Sequence, residues 1–124
     1  AFGDSMRIRA READLLVTIT NDTWFGASIG PHQHMQIARV RALENGRWLV
    51  RAANDGITGI IDHNGNVRDE LPQFTEGVLK GEFHTTQGRT PYNLFGNTLF
   101  FAMLIVLGVM VGLYRYKVAI RVKG

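Results

Sequence analysis

The sequence predicts an α/β protein segment followed by one membrane-spanning helix, and three observations carry that prediction. A short continuous run at 15–20, apolar and rich in β-branched residues, is typical of a buried strand. A helical segment opens at Pro31, and an uncharged apolar stretch covers 94–114. Strand, helix, strand and hairpin in this order indicate a layered α/β fold. At 124 residues, the chain is long enough for one small domain.

The first half of the chain alternates helix and strand. Residues 2–13 are polar and Arg-rich and are predicted to form a helix, which the strand at 15–20 follows. A loop at 21–30 contains two adjacent aromatic residues. The next helix runs from Pro31 to about Asn45, with Gly46 as its stop signal. Its apolar residues spread around the helical wheel, so we expect it to pack on more than one side.

The second half is predicted to be mostly strands and turns. Strands are predicted at 47–53, 57–62, 67–71 and 77–84. Tight turns are predicted at 54–56 and 63–66, where Asn, Asp and Gly cluster, and an extended connection at 85–93. These strands are too few to build a large sheet, so we expect part of the fold to precede Ala1.

The uncharged stretch at 94–114 is predicted to cross a bilayer. Its 21 residues would span roughly 30 Å as a helix, about the thickness of the hydrocarbon core. The alternative, a buried core helix, would need protein on every side of it. The four basic residues that follow are expected to stay in the cytoplasm; they are Arg115, Lys117, Arg121 and Lys123. This predicts a domain at 1–93 on the periplasmic side, a transmembrane helix at 94–114 and a cytoplasmic tail at 115–124.

Charge and cysteine content exclude several classes of function. Residues 1–93 hold 10 basic and 11 acidic side chains, so the net charge of +3 comes from the C-terminal tail. We therefore expect no nucleic-acid partner. The chain has no cysteine, which excludes a thiol nucleophile, thiolate metal sites and disulfides within these residues.

Two patterns suggest catalytic or metal chemistry. The stretch from Gly26 to Gly30 matches the G-x-S-x-G pattern of serine hydrolases, with Ser28 as the candidate nucleophile. That motif requires a strand that turns sharply into a helix, whereas here the strand ends near Thr20. His32 and His34 are two residues apart and so point to nearly opposite sides of a helix, which disfavours a shared metal. We predict no metal or cofactor.

The loop after the first strand is the better candidate for a binding site. Trp24 and Phe25 lie where α/β sheets commonly bind ligands, beside Asn21 and Asp22. The alternative is that the two aromatic side chains fold onto the core. Arg41 and Glu44 are predicted to form a surface ion pair one helical turn apart.

Several segments together resemble the bacterial apolipoprotein N-acyltransferase family, within the nitrilase or carbon–nitrogen hydrolase superfamily. The resemblance covers about residues 15–115. The segments that carry it are TITNDTWFG (18–26), SIGPHQH (28–34), RALEN (41–45), RAANDGI (51–57), PQF (72–74) and TPY (90–92), with the final apolar helix and its basic end.

The resemblance implies the C-terminal part of a nitrilase-like αββα sandwich, followed by one transmembrane helix of a multi-pass inner-membrane enzyme. Such enzymes use a Glu–Lys–Cys triad. The cysteine takes an acyl chain from a phospholipid as a thioester, and the α-amine of a diacylglyceryl-cysteine on an apolipoprotein then attacks it. The implied partners are the phospholipid donor, the apolipoprotein acceptor, the membrane and the missing N-terminal part of the protein.

No triad member matches a position in this sequence, and the resemblance places all three before Ala1. We therefore expect these residues to be inactive alone. Asn21, Asp22, Trp24 and Phe25 match the family loop beside the active site and are predicted to line the substrate pocket, with Trp24 the strongest candidate. Two other functions stay open at this point: a membrane-anchored serine hydrolase that uses Ser28, and a non-catalytic single-pass anchored binding domain.

Overall fold

A computed structural model describes residues 3–123, without the side chains of residues 119 and 121–123. The predicted start of the first helix at Phe2 lies outside the described residues. The side chains of Arg121 and Lys123, two of the basic residues expected in the cytoplasm, also lie outside them. The chain divides into two compact units, Ala1–Leu94 and Phe95–Gly124, and each is described by itself.

The first unit is a four-stranded sheet with helices on one face, which confirms the predicted α/β class. Its elements are α1 (Gly3–Arg9), β1 (Leu15–Asn21), a 3₁₀ turn (Thr23–Phe25), α2 (Gly30–Asn45), β2 (Trp48–Asn54), β3 (Thr58–Ile61), β4 (Val67–Leu71) and α3 (Pro91–Phe95), of which the last residue is counted in the second unit. The sheet order is β1-β2-β3-β4, with β1 and β2 parallel and the other pairs antiparallel. α1 is shorter than the helix predicted over 2–13.

β1 was predicted to be a buried strand, and this is wrong for the described residues. Leu16 is buried, but Val17 is 61% exposed and Ile19 is 82% exposed. Alternate side chains of a strand point to opposite faces, so the helices cover one face of β1 and leave the other open. β1 pairs only with β2 in the part of the chain described here.

α2 has the limits that the sequence predicts. Pro31 lies in its first turn, and Gly46 ends it in the left-handed conformation at φ 61°, with its N–H bonded to the carbonyls of Ala42 and Leu43. The core between α2 and the sheet holds small and flexible side chains of the helix, Met35, Ala38 and Ala42, against Leu49 and Ile61. The expected packing on more than one side is confirmed, because α1 as well as the sheet contacts α2, and Asn93 of α3 donates a hydrogen bond to Asn45. The remaining apolar residues of α2 are exposed; they are Ile37, Val40 and Leu43.

Both predicted turns join antiparallel strands, which confirms them. Asp55 is left-handed at φ 53° between β2 and β3, and Gly65 is left-handed at φ 78° between β3 and β4. In the second turn, the Asp62 carboxylate accepts hydrogen bonds from the backbone N–H groups of Asn64 (2.9 Å) and Asn66 (2.8 Å). These bonds outweigh burial, which alone would raise the pKa of Asp62, and hold it below its ordinary value.

The predicted strand at 77–84 is wrong, since no β-ladder forms there. The segment passes across the open face of the sheet instead of pairing at an edge. A Cβ on Gly81 would lie 2.5 Å from Ile60 Cδ1, and the rings of His84 and Trp48 meet edge to face at 5.7 Å. Glycine weakens strands and permits this close crossing. The predicted extended connection also ends early, because α3 forms at its C-terminal end.

The second unit is dominated by one long apolar helix, α4 (Thr98–Lys123). It starts four residues after the predicted position 94, because Gly96 is left-handed at φ 58° and separates it from α3. Residues 98–118 are long and apolar enough to cross a membrane. The basic residues after Tyr114 continue the helix rather than forming a separate tail.

Candidate functional site

The candidate site lies at the carboxyl ends of the parallel strands β1 and β2. Their register places Asn21 opposite Asn54, and the loops that follow both strands meet there. This end of a parallel strand pair is where α/β proteins commonly bind ligands. The four residues that the sequence predicts as substrate-binding are consecutive or nearly so: Asn21 is the last residue of β1, and Asp22, Trp24 and Phe25 belong to the loop that follows it.

Asp22 is fully buried and lies at the centre of a polar network. Its Oδ2 accepts a hydrogen bond from Arg51 Nη2 at 2.6 Å, and Arg51 Nε donates to the carbonyl of Ile57 at 3.1 Å. Its Oδ1 accepts from Thr20 Oγ1 at 3.0 Å and lies 2.9 Å from His34 Nδ1. Neither carboxylate oxygen of Asp22 therefore faces solvent. Its contacts connect β1, β2 and α2 at the base of the loop.

The surroundings of Asp22 favour the ionised form of its carboxyl group. Burial alone would raise its pKa, but hydrogen bonds from His34 and Thr20 and the charge of Arg51 together lower the pKa below its ordinary value. A buried anion of this kind is stable only while its donors remain in place. The network thus depends on all three partners at neutral pH.

The two aromatic residues of the loop have different environments. Phe25 packs edge to face on the ring of His34, with centroids 4.9 Å apart. Gly30 permits this packing, because a Cβ there would lie 2.5 Å from Phe25 Cδ1. Trp24 is 89% exposed. The alternative in which both aromatic side chains fold onto the core is therefore wrong for Trp24.

Asn21 holds the start of the 3₁₀ turn. Its Oδ1 accepts from the backbone N–H of Thr23 at 3.1 Å and lies 2.6 Å from Thr23 Oγ1. The same hydroxyl lies 2.9 Å from Asp55 Oδ2 and accepts from Asn54 Nδ2 at 3.2 Å. These contacts join the loop after β1 to the loop after β2.

Ser28 lacks the surroundings of a hydrolase nucleophile. It lies in a loop between the 3₁₀ turn and α2, and its Oγ accepts a hydrogen bond from the backbone N–H of Gly30 at 3.2 Å. His34, the nearest histidine that follows it in α2 besides His32, is engaged with Asp22 through its Nδ1. In the described residues, no group of three His, Cys, Asp or Glu side chains converges to hold a metal.

Arg41 and Glu44 form the predicted ion pair on α2, although both side chains are half-buried. Burial raises the pKa of Glu44, and the charge of Arg41 offsets part of that effect. Arg41 also lines a cavity of about 320 Å³ beside β1, together with Thr18, Thr20, His34 and Arg51. The polar network therefore borders open volume on the helix side of the sheet.

Sequence reasoning missed Arg51 and the role of His34. Arg51 lies between apolar neighbours in a strand that was predicted from those neighbours. A charged residue at such a position indicates a buried ion pair, so this signal was present in the sequence. A guanidinium in a buried strand requires an anionic partner. Which carboxylate supplies it depends on the register of β1 and β2, which the sequence does not reveal.

We expect Gly56→Ala to disrupt the polar network around Asp22. A Cβ at position 56 would lie 2.4 Å from Asp22 Oδ2 and 2.9 Å from Ala53 Cβ, so the buried carboxylate would have to move. Overpacking of this kind costs about 1–3 kcal/mol of folding free energy. Thermal unfolding of the parent protein measures the loss. Gly77→Ala is the control, because its Cβ would make an ordinary contact 3.6 Å from Leu71; equal Tm values for both variants would contradict the expectation.

Comparison with known proteins matches residues 1–90 to the carbon–nitrogen hydrolase family. The chain is 54% identical over 83 residues to the apolipoprotein N-acyltransferase of Pseudomonas paraeruginosa, which covers 67% of this chain and 16% of that protein. It is 50% identical over 106 residues to the protein of the same name from Haemophilus ducreyi, covering 86% of this chain and 21% of that one. The corresponding protein of Nitrosomonas europaea is 47% identical over 106 residues, with the same coverage.

The chain thus spans about a fifth or less of the length of the relatives it matches. The four-stranded sheet, the helices on one face and the apolar C-terminal helix agree with the predicted fold class. The family match extends over the whole sheet and the loops at its carboxyl end. On this evidence, the chain belongs to the carbon–nitrogen hydrolase family.

Proposed function

We propose that this chain is the C-terminal part of an apolipoprotein N-acyltransferase. The parent enzyme would move an acyl chain from a phospholipid, through a cysteine thioester, to the α-amine of the diacylglyceryl-cysteine of an apolipoprotein. The observation that carries the proposal is a combination: a carbon–nitrogen hydrolase match over residues 1–90 is followed directly by an apolar helix of membrane-spanning length. The three relatives of that name described above are 47–54% identical to this chain over the aligned residues.

The chemistry consists of two acyl transfers. A thiolate attacks the ester carbonyl of the phospholipid, the ester C–O bond breaks, and the lysophospholipid alkoxide leaves with a proton. The acceptor amine then attacks the thioester carbonyl, the C–S bond breaks, and the amide and free thiol form. Glu serves as base and Lys stabilises the oxyanion. This chain has no cysteine, so the triad would come from residues that precede Ala1 in the parent protein.

The surface of β1 supports the presence of that preceding part. β1 pairs on one side only among the described residues, and Val17 and Ile19 leave an apolar face exposed. Unpaired strand edges and contiguous apolar patches are normally covered in soluble proteins. The upstream part of the catalytic domain would cover this face and complete the second half of the αββα sandwich.

The four predicted substrate-binding residues then divide into two roles. Trp24 would contact the acyl chain, because it is the one that presents a large apolar surface outward. Asn21, Asp22 and Phe25 would act as positioning residues, since their bonds and ring contacts hold the loop that carries Trp24.

The test uses the purified full-length parent enzyme with phosphatidylethanolamine and a synthetic diacylglyceryl lipopeptide. We expect mass spectrometry to find the lipopeptide with a third acyl chain on its α-amine, and the enzyme with one acyl group on an upstream cysteine. Loss of both products on replacing that cysteine with alanine would support the proposal. Activity that survives this change but disappears with Ser28→Ala would instead identify the serine hydrolase.

We further propose that the parent enzyme is a multi-pass inner-membrane protein, with residues 1–93 in the periplasm and the C-terminus in the cytoplasm. The basic residues after Tyr114 support this orientation. Fusion of green fluorescent protein after Gly124 should then give fluorescent cells, whereas alkaline phosphatase at that junction should be inactive. With the junction moved to Asn97, the two reporters should exchange their behaviour. An active phosphatase after Gly124 would contradict this orientation.

A further inference from the structure

The loop after β4 carries a second exposed aromatic residue, Phe74, in an unusual backbone conformation. Phe74 is left-handed at φ 61°, and it and Asp55 are the non-glycine residues with positive φ in the described chain. Such a conformation costs a bulky side chain stability and persists only where the surroundings impose it. Phe74 is nevertheless 60% exposed, so burial of its ring does not offset the free-energy cost of the left-handed backbone.

Two contacts hold this loop in place. Gln73 Nε2 donates a hydrogen bond to the carbonyl of Gly26 at 2.6 Å, across 47 positions of sequence. At the far end of the loop, a Cβ on Gly77 would lie 3.6 Å from Leu71 Cδ1, so the two ends of the loop lie close together. The loop is thus closed on itself and tied to the turn that carries Trp24.

Three loops therefore converge at the carboxyl ends of β1 and β2. Gly26 follows the 3₁₀ turn and is bonded to the Phe74 loop, and Thr23 of the same turn contacts Asp55. Phe74 and Asp55 both line a cavity of about 520 Å³, with Asn54, Thr58, Thr75 and Glu76 among the other lining residues. Both left-handed non-glycine residues thus face one cavity, and strained residues cluster at ligand sites.

The chemistry of this edge fits an amphipathic ligand. Its aromatic side chains, Trp24 and Phe74, are exposed, whereas the cavity is lined mostly by amide, hydroxyl and carboxylate groups. A fatty acyl ester of glycerol likewise has an apolar part, its hydrocarbon chain, and a polar part, its ester carbonyl and glycerol. Aromatic rings provide large, stiff contact surfaces for such a chain.

We infer that Phe74 is a second acyl-chain contact beside Trp24, and that it selects for long acyl chains. The inference rests on the acyltransferase function proposed above. The left-handed backbone at Phe74 and the hydrogen bond from Gln73 to Gly26 accompany a ring that is exposed next to the Trp24 turn. Gln73 is the positioning residue that joins the two loops.

The test measures kcat/KM of the full-length parent enzyme in detergent micelles with two donors, phosphatidylethanolamines carrying 16-carbon or 8-carbon chains. Phe74→Ala should lower the value for the 16-carbon donor about tenfold and change that for the 8-carbon donor less than twofold. Val78→Ala is the matched control, because Val78 is exposed and lies outside the cavity lining. Phe74→Leu should keep most of the chain-length preference.

A second variant separates this role from a structural one. Phe74→Gly removes the backbone strain, so Tm should stay constant or rise while the long-chain preference disappears. A fall in Tm with an equal loss on both donors would overturn the inference and make Phe74 structural. The same assay is repeated with phosphatidylethanolamine liposomes, and a loss that appears there but not in micelles would also overturn the inference and indicate contact with the bilayer surface. A wild-type enzyme that transfers neither acyl chain would instead defeat the proposed function.

Discussion

Arg51→Met should be the most destabilising single substitution in the site, at a cost of about 3–5 kcal/mol of folding free energy. Arg51 supplies the 2.6 Å charged hydrogen bond to the fully buried Asp22, and methionine fills a similar volume without the charge. The variant leaves a buried carboxylate without its permanent cation. Thermal unfolding of the parent enzyme in detergent measures the loss.

Arg68→Met is the matched control, because it also removes an arginine from a buried aspartate. Arg68 Nη2 lies 2.7 Å from Asp62 Oδ2, but the arginine side chain is 55% exposed, and backbone N–H groups already satisfy the carboxylate. Exposed pairs of this kind contribute about 0–1 kcal/mol. Comparable losses for the two variants would contradict the role assigned to Arg51.

The cost of Arg51→Met should also depend on pH. In the wild-type protein the pKa of Asp22 is lowered, so its stabilising effect is present above the pKa of the unfolded chain and is lost as pH falls through the folded pKa. Removal of Arg51 takes away one of the groups that offset burial, so we expect the pKa of Asp22 in the folded variant to be higher than in the wild-type protein. The variant is then penalised most at neutral pH and least in acid, where Asp22 binds a proton. Adding Asp22→Asn should recover part of the loss and abolish this pH dependence.

Trp24→Ala should have the largest effect on activity of any change outside the triad, with little effect on folding. Trp24 is 89% exposed, so its removal costs the folded protein few contacts. If it contacts the acyl chain in the transition state, its loss should lower kcat/KM for acyl transfer about 10- to 100-fold, or about 1.4–2.7 kcal/mol. Rates of thioester formation and of lipopeptide acylation, with Tm as the stability measure, give the result.

Two further variants make that result specific. Trp24→Phe should keep most of the activity, because a smaller aromatic ring preserves much of the apolar contact. Ile29→Ala removes another exposed apolar side chain from the same loop and should leave the rate unchanged. If Trp24→Ala forms the thioester and acylates the lipopeptide at the wild-type rate, Trp24 has no role in the pocket.

Much of the fold follows from local signals. β1 follows from a run rich in β-branched residues, and α2 from Pro31 and Gly46 at its ends. Both hairpin turns follow from their Asp and Gly residues. Each of these signals influences the backbone only within a few residues of its own position. Those signals fail where contacts across the sheet decide the conformation. Residues 77–84 have the composition of a strand but cross the sheet face, and the apolar residues of β1 look buried but lie partly open.

By itself, the sequence determined the α/β class, the order of the elements, the apolar C-terminal helix and the loop in which the candidate site lies, because helix ends, turns and hydrophobic periodicity are local properties of the chain. Only the tertiary structure decided that Asp22 is buried against Arg51 while Trp24 is exposed, and that Gln73 reaches Gly26. These pairings join residues 29 and 47 positions apart. They exist because strand register and loop closure bring polar groups together, and a buried charge or a strained backbone is stable only once those distant partners are in place.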